Sequence, residues 1–433
     1  MSYLNKFLIF LLLVFVFHNA NSQFTISGEY RPKVMLMDGY KQLRDSSKFP
    51  YGMVIQRSRL NFDYTKENLT FAFSVQDVRV WGQDALSANS NSIGIFEAYI
   101  KYGFCKQLAI KFGRQQLKYD DERIMSVNNW RDQGATHDIA ILQFNKEEKS
   151  LKADIGLAMN NPSSYQNYLS EYTVSSYKYM AYLWLNKKFL NKKLETSIFG
   201  ISDVNQTPST INNYRTRYTI GPYINYKNSN LSLTTSLYFQ TGKIANGKDV
   251  DALFYSVKTS YKLHKMLELG AGYDHYSGTD FSDTTKAKTK STTFDKLYGS
   301  GHTFLGFMDY FNGNASDVTK GAGINDFYVK ANFILNEKHN IEAIYHLFSL
   351  DKQYFLVSKK ASIKYDKALG SEIDLIYNYK QSKALNFSLG YSVFLPTETM
   401  EKLHGYNKNE SKFAHFAYMM VTFKPTFLTH NEK

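Results

Sequence analysis

The chain is dominated by segments in which apolar and polar side chains alternate with a period of two. In one of them Leu385, Phe387 and Leu389 alternate with Asn386 and Ser388. Successive side chains of a β-strand point to opposite faces, so this periodicity is typical of strands with one apolar and one polar face. The pattern therefore predicts an all-β chain.

Eighteen such strands can be placed along the sequence. Their predicted ranges are 24–36, 53–64, 69–80, 93–102, 108–117, 136–145, 151–160, 175–187, 192–202, 213–226, 230–241, 251–263, 266–277, 322–335, 339–350, 370–380, 385–395 and 412–424. Every second connection is short and polar, as at 65–68 and 146–150, whereas the others are longer, up to 278–321. Short turns that alternate with long loops over an even number of strands are the pattern of outer-membrane barrels. We therefore expect a transmembrane antiparallel β-barrel with short periplasmic turns and long extracellular loops.

One alternative is a soluble sandwich, whose strands also alternate. A sandwich has no reason to keep short and long connections in strict order. A second choice concerns residues 358–367, which alternate as well. Counted as a strand they would make the number odd and leave the C-terminus outside, so we assign them to an outer loop. Residues 23–433 then form a single barrel domain.

Residues 1–22 have the pattern of a cleavable signal peptide. Lys6 is the only charged residue, the run 7–17 is apolar, and the small residues Ala20 and Ser22 precede the expected cut. The apolar run is too short for a membrane-spanning helix, which needs about 20 residues. We expect an exported protein of the outer membrane of a two-membraned bacterium.

The composition agrees with a barrel. There are 34 Tyr and 32 Phe but only 7 Pro, and barrels use aromatic residues in girdles at both bilayer interfaces. The single cysteine, Cys105, has no partner for an internal disulfide. Without Lys6 the net charge falls from +13 to +12. These charges are spread along the chain without a nucleic-acid motif, so we expect no nucleic-acid partner and instead an anion-attracting lumen.

Three stretches, 112–142, 294–311 and 371–394, resemble the alginate-export family of outer-membrane porins. In the first, a Gly-Arg-Gln turn containing Arg114 leads through an Arg and a Trp to an Asp-containing strand. The resemblance implies an eighteen-stranded outer-membrane barrel, and the best-known member exports a polyanionic polysaccharide through an arginine-lined constriction. The family's motif often has an Arg where this sequence has His137. The loss of that fixed positive charge would weaken such a constriction. Cargo does not follow from the fold.

Four arginines are candidate pore-lining residues. Arg57 and Arg59 alternate with apolar side chains on one predicted strand, and Arg215 and Arg217 do so on another. A charge on the lipid face costs roughly 2–4 kcal/mol at the midplane of the bilayer, so all four are predicted to face the lumen. The two strands lie eight apart in a ring of eighteen, hence on nearly opposite walls. Together with Arg114, these side chains would form an anion-attracting screen.

A second interpretation is that the arginines pair with acids of the lumen and maintain the shape of the barrel. The acids predicted to line the pore are Asp63, Glu97, Asp326, Glu342, Glu372 and Asp374. The loop 118–135 is likewise open to two interpretations, because its charges and Trp130 suit either an inward constriction or a solvated loop.

No catalytic motif, metal-binding motif or cofactor motif is present, so we expect neither an enzyme nor a bound cofactor. The expected partners are outer-membrane lipid and an anionic solute or saccharide. Two function classes remain. One is a porin that favours small anionic solutes or acidic oligosaccharides and polysaccharides. The other is a polysaccharide-secretion outlet, or a component that binds secretion or surface-complex proteins through its long loops.

Overall fold

The computed structural model describes residues 22–44, 47, 49–84, 93–160, 177–206, 214–311, 318–357, 362–407, 411 and 413–432. Residues 1–21 of the predicted signal peptide lie outside the described residues, as do residues 358–361 of the segment assigned to an outer loop. The predicted signal peptide stays a prediction.

The described residues form a closed antiparallel barrel of eighteen strands. The strands are β1 (Ser22–Asp38), β2 (Tyr51–Lys66), β3 (Leu69–Val80), β4 (Ile93–Gly103), β5 (Leu108–Gln115), β6 (His137–Lys146), β7 (Leu151–Met159), β8 (Tyr179–Phe189), β9 (Leu194–Gln206), β10 (Tyr214–Lys227), β11 (Leu231–Lys243), β12 (Asp249–His264), β13 (Leu267–Tyr276), β14 (Ile324–Ile334), β15 (His339–Ser349), β16 (Ala368–Lys380), β17 (Leu385–Pro396) and β18, which has two segments (Ala414–Phe423 and Thr426–Glu432). Each strand pairs with its neighbours in sequence, and β1 pairs with both β2 and β18, which closes the sheet. The predicted fold class and strand number are confirmed.

The remaining elements lie in the long connections and in one short turn. They are the helices α1 (Thr284–Thr289) and α2 (Glu398–Leu403), a 3-10 turn (Glu147–Lys149), a two-residue strand (Lys290–Ser291) beside β12, and a small hairpin (Phe355–Val357 with Ser362–Lys364). The hairpin forms a sheet of its own, so the assignment of 358–367 to a loop rather than to the barrel is confirmed for its described part, 362–367. Among the described residues, no helix has the length and apolar character that crossing a membrane requires.

The last strand extends further than the sequence pattern predicts. We expected it to end at residue 424, but after a break it continues to Glu432 and pairs there with Ser22. Pro425 has no N–H to give to the ladder, and its carbonyl instead accepts a 2.9 Å hydrogen bond from the backbone of Gly28. Pro425 therefore interrupts the strand, and the alternation looks finished there although the sheet resumes beyond it.

The alternation sets the two faces of the barrel wall as expected. On β17, Leu389 and Tyr391 are 45% and 44% exposed on the outer face, whereas Ser392 and Phe394 of the inner face are buried. An inward aromatic ring would be exposed in an open, water-filled lumen. The complete burial of Phe394 therefore means that protein fills this level of the lumen.

The hydrophobic core lies inside the barrel rather than outside it. Met125, Met308 and Phe311 of two long connections are each at most 1% exposed and belong to one cluster with inward side chains of the wall such as Phe416. We call the end with the long connections the loop end and the opposite end the turn end. The structure is consequently a barrel that is packed with its own loops near the loop end.

The barrel topology predicts which cysteines a membrane-impermeant maleimide reaches on intact cells. In a Cys105→Ser background, Lys288→Cys on the exposed surface of α1 should be labelled from outside. Lys149→Cys, in the turn between β6 and β7, should be labelled only after the cells are broken. Labelling of Lys149→Cys on intact cells would show that the orientation is reversed.

Neighbouring positions on β17 should respond very differently to a charge. Leu389→Arg puts a guanidinium on the lipid face and should lower the free energy of unfolding by roughly 2–4 kcal/mol. Ser388→Arg, the matched control, faces the lumen and should cost far less. Urea unfolding of barrels refolded in liposomes measures both values, and equal losses would mean that the faces of β17 are assigned the wrong way round.

Candidate functional site

The loop between β5 and β6 folds into the lumen and is anchored first on the wall nearest to it. The Tyr119 hydroxyl donates to Asp154 of β7 at 2.8 Å and lies 2.7 Å from the hydroxyl of Tyr182. Asp120 accepts hydrogen bonds from Trp184 at 2.9 Å and from Ser197 at 2.6 Å. Burial raises the pKa of Asp120 to about 6, although these two hydrogen bonds lower it. The interpretation of 118–135 as an inward loop is therefore the one that the structure favours.

Arg123 carries the same loop across the barrel to β12 and β13. Its guanidinium lies 2.7 Å from the Asp274 carboxylate and donates to the hydroxyls of Tyr276 at 3.1 Å and Ser256 at 3.2 Å. It also stacks 3.5 Å over the ring of Phe304. β13 is eight strands from β5 in a ring of eighteen, so this buried pair joins nearly opposite walls.

The end of the loop returns to β1. The Asp132 carboxylate lies 3.0 Å from a guanidinium nitrogen of Arg31 and 3.1 Å from Nζ of Lys33, and all three side chains are buried. The Lys33 ammonium also lies 4.2 Å above the ring of Trp130. Removing one partner of such a buried pair typically costs 3–5 kcal/mol because it leaves an uncompensated charge. The loop is thus fixed at both ends and at its far point.

Arg57, one of the four predicted arginines, belongs to this anchor. It is fully buried, its Nε donates to Glu29 at 2.9 Å, and its terminal nitrogens donate to the Asn129 side chain at 2.9 Å and the Asp132 carbonyl at 3.3 Å. Arg59 donates to Gln76 at 2.7 Å and lies 3.5 Å over the ring of Phe96. For Arg57 the structure agrees with the second interpretation, an arginine paired with an acid.

A second long connection, between β13 and β14, packs against the first loop through backbone hydrogen bonds. Tyr298 and Ser300 donate to the carbonyls of Ile124 and Glu122 at 3.1 and 2.9 Å, and Ser126 donates to the Tyr298 carbonyl at 3.0 Å. Gly299 is required at this crossing because an added Cβ would lie 2.0 Å from a backbone oxygen of the first loop. The two loops therefore form one interlocked layer across the lumen.

Arg217 ties this second loop to the wall of β9 and β10. It pairs with Asp203 at 2.9 Å and with Asp295 of the loop at 2.6 Å. Arg215 lies on the same inner face nearer the loop end, and its guanidinium donates to the Tyr214 carbonyl at 3.4 Å. Of the two predicted arginines on β10, Arg217 is thus a paired anchor and Arg215 is a rim residue.

His302 lies where three long connections meet. Its ring stacks on that of Trp130 with 3.6 Å between centroids, and its Nδ1 lies 2.7 Å from the Asp309 carboxylate. Tyr40, from the connection between β1 and β2, donates its hydroxyl to Asp309 and accepts at 3.2 Å from the Trp130 indole. Burial raises the pKa of Asp309, but the His302 ring and these hydrogen bonds outweigh that effect and hold the pKa below its ordinary value.

The predicted acids on β14–β16 also lie on the inner face. Glu372 accepts a 2.7 Å hydrogen bond from the backbone of Met308, so it holds the second loop. Asp326 lies 2.9 Å from Nδ1 of His346, whose Nε2 lies 3.5 Å from Asp374. Glu342 forms an ion pair with Lys330.

Below the interlocked loops, towards the turn end, the lumen is hollow. A cavity of about 730 Å³ is lined by Asp63 and Glu97 of the predicted set, together with Arg59 and Trp130. A second cavity of about 480 Å³ lies beside β11–β15, and Thr303 contributes to both. No group of His, Cys, Asp and Glu side chains arranged to hold a metal ion occurs in the described part of the chain.

The prediction for Arg114 requires a correction. Arg114 pairs in register with Asp138 at 3.0 Å, with side chains 41% and 58% exposed. It lies on the same face as Phe112, which is 67% exposed, whereas the next residue, Gln115, is fully buried on the inner face. Arg114 therefore points outwards. The turn motif indicates the position of Arg114, but the parity of β5 decides its face and places it outside.

Several site residues were not predicted, notably Arg31, Lys33, Asp203 and His302. A signal for the first two was available, because Glu29, Arg31 and Lys33 occupy every second position of β1. His302 lies in a long connection without periodicity, and no local pattern indicates its neighbours.

A family model described as Alginate export matches residues 50–413 of the chain. No curated protein sequence matches it. Among solved structures, OccK8 (OprE) of Pseudomonas aeruginosa is 13% identical with a TM-score of 0.58, and the match covers 94% of this chain and 98% of that one. OccAB4 of Acinetobacter baumannii gives the same values. OccK9 (OpdG) of Pseudomonas aeruginosa is 11% identical with a TM-score of 0.59 over 93% and 98%.

The solved structures are too distant in sequence to show more than the fold, which is that of outer-membrane porins. The family model covers most of the barrel and describes channels rather than enzymes. Both findings place the protein in the outer membrane of Gram-negative bacteria. The chain belongs to the alginate export family of outer-membrane β-barrels, as the resemblance of its motifs predicted.

Proposed function

We propose that this porin-like barrel is a diffusion channel for small hydrophilic solutes, with its passage set by the two interlocked loops. One observation carries the proposal. The first loop crosses the lumen and is bonded to β1, to β13 and to the second loop, while the lumen below it stays hollow. Barrels of 16–18 strands are wide enough for an aqueous channel, so the loops rather than the wall limit the passage.

The same geometry favours small solutes over a polymer. A polysaccharide chain would require the buried pairs of Arg123 and Asp132 to break, and each leaves an uncompensated charge when opened. Small solutes need only the space between the loop side chains. An outlet for a long acidic polysaccharide is therefore the less favoured function.

We assign an anion preference to the loops rather than to the wall. Arg57 and Arg217 are neutralised by Glu29, Asp203 and Asp295. Arg131 is exposed on the first loop. Its charge acts on Lys296 of the second loop, on which Asp309 and Asp295 also act. Fixed positive charge at a narrow passage attracts anions by the local potential that it sets up.

The pKa of Lys296 makes this preference dependent on pH. Burial, and next the neighbouring Arg131, lower the pKa of Lys296 to about 8, against the opposite effect of Asp309 and Asp295. The ammonium is charged below this pH and neutral above it. Anion selectivity should therefore be greatest below pH 8 and decline as the pH rises through that value.

The test is the zero-current potential of the purified protein in a planar bilayer under a KCl gradient. The wild type should be anion-selective well below the pKa of about 8 and less so well above it. The double variant Arg131→Gln/Lys296→Gln should lose most of the selectivity at low pH, and salt should weaken the wild-type effect by screening.

Lys286→Gln/Lys288→Gln is the matched control, since it also removes two charges, from the exposed surface of α1, and should leave the potential unchanged. A folded Arg131→Gln/Lys296→Gln variant with the wild-type potential at every pH would refute the assignment of selectivity to the loops.

A further inference from the structure

The outer wall of the barrel has a row of small side chains at one level. In register, Phe112 of β5 pairs with Ala140, Ala140 with Leu157, Leu157 with Ala181, and Ala181 with Ser202. These residues share the outer face, because Phe112 and Leu157 are 67% and 61% exposed. Three of the five are small, so the wall is recessed at Ala140, Ala181 and Ser202.

The next outward level towards the turn end has large side chains. Leu142, Ile155 and Leu183 are between 40% and 47% exposed there. The next row of outward side chains towards the loop end contains Arg114 of β5 and Asp138 of β6, which pair in register, and then Met159 of β7 and Tyr179 of β8, which also pair. These levels close the recess into a groove of about 610 Å³ across β5–β9, lined chiefly by apolar side chains.

Aromatic rings indicate the depth of this groove in the membrane. Tyr179 and Tyr214 are each 39% exposed on neighbouring outer positions close to the loop end, with 5.9 Å between their ring centroids. Tyrosines of this kind lie at the level of the lipid headgroups. The groove thus begins at the headgroups of the outer leaflet and continues into its acyl region.

Arg114 lies beside the groove at its headgroup end, next to the lining residues Gly113 and Asp138. Its guanidinium donates to Asp138 at 3.0 Å, and both side chains remain partly exposed. A guanidinium has five N–H donors, so one contact with a carboxylate leaves others for an anion. Arginine binds phosphate oxygens with two parallel hydrogen bonds, and a charge on the lipid face costs only about 0–1 kcal/mol near the interface.

We propose that this groove binds a phosphorylated, multiply acylated lipid of the outer leaflet, with one acyl chain over Ala140, Ala181 and Ser202 and its phosphate on Arg114. Lipid is the occupant because the groove is continuous with the bilayer-facing wall and because Arg114, ion-paired with Asp138 of the groove lining, lies at headgroup depth. The site is separate from the lumen, so it is independent of the proposed transport function.

The test is native mass spectrometry of the purified, delipidated barrel titrated with bisphosphorylated lipid A, and with the same lipid after enzymatic removal of its phosphates. The wild type should bind one phosphorylated lipid more tightly than the dephosphorylated form. Arg114→Gln should weaken binding of the phosphorylated lipid about tenfold, as expected for loss of a charge-assisted hydrogen bond, and abolish the preference for phosphate. Ala181→Phe fills the recess and should weaken the binding of both lipids.

Asp138→Asn is the matched control, because it breaks the same ion pair but keeps the cation, and it should bind at least as well as the wild type. Each variant counts as folded if heating still shifts its migration in gel electrophoresis, as it does for the wild-type barrel. Wild-type lipid binding in folded Arg114→Gln and Ala181→Phe variants would overturn the proposal. A dimer of the wild type that dissociates in the Ala181→Phe variant would also overturn it, since a second copy of the chain would then occupy the groove.

Discussion

The buried ion pairs between the inward loops and the barrel wall are the interactions on which the rest of the structure depends. Asp132 forms ion pairs with Arg31 and Lys33 of β1, and Arg123 forms one with Asp274 of β13. Isolated charges buried inside a protein are costly, whereas paired ones with satisfied hydrogen bonds are tolerated. The wall therefore holds the loops in place, and the loops in turn compensate the charges of the wall.

This mutual dependence explains why the two halves of the lumen differ. Near the loop end, aromatic and methionine side chains pack into a core within the barrel, and His302 joins three connections through Trp130 and Asp309. Nearer the turn end, the polar inner faces of the strands and side chains of the described loops enclose two cavities. Such an asymmetry suits the proposed diffusion channel, since a short constriction selects solutes while a wide vestibule leaves the rest of the path open.

The period-two pattern was sufficient to predict the strands and the inner face of Arg57, Arg59 and Arg217, because parity is a local property of the sequence. The strict order of short and long connections then predicted the barrel. The contacts of those arginines were not predictable, since Asp132 and Asp295 reach them from loops distant in sequence. The same limit applies to β18, where a single proline masks the continuation of the strand. Arg114 is a different case, because the parity of β5 can be read from the sequence and places its side chain on the outer face of the barrel.

Single-channel conductance in a planar bilayer tests most directly whether the docked first loop limits the passage. The double variant Arg123→Gln/Asp132→Asn removes the charges that fix the loop at its far point and at its end while leaving the strand ladder intact. If the docked loop limits the passage, the wild type should give small conductance steps and the folded variant clearly larger ones. Equal conductance of the two proteins would contradict it.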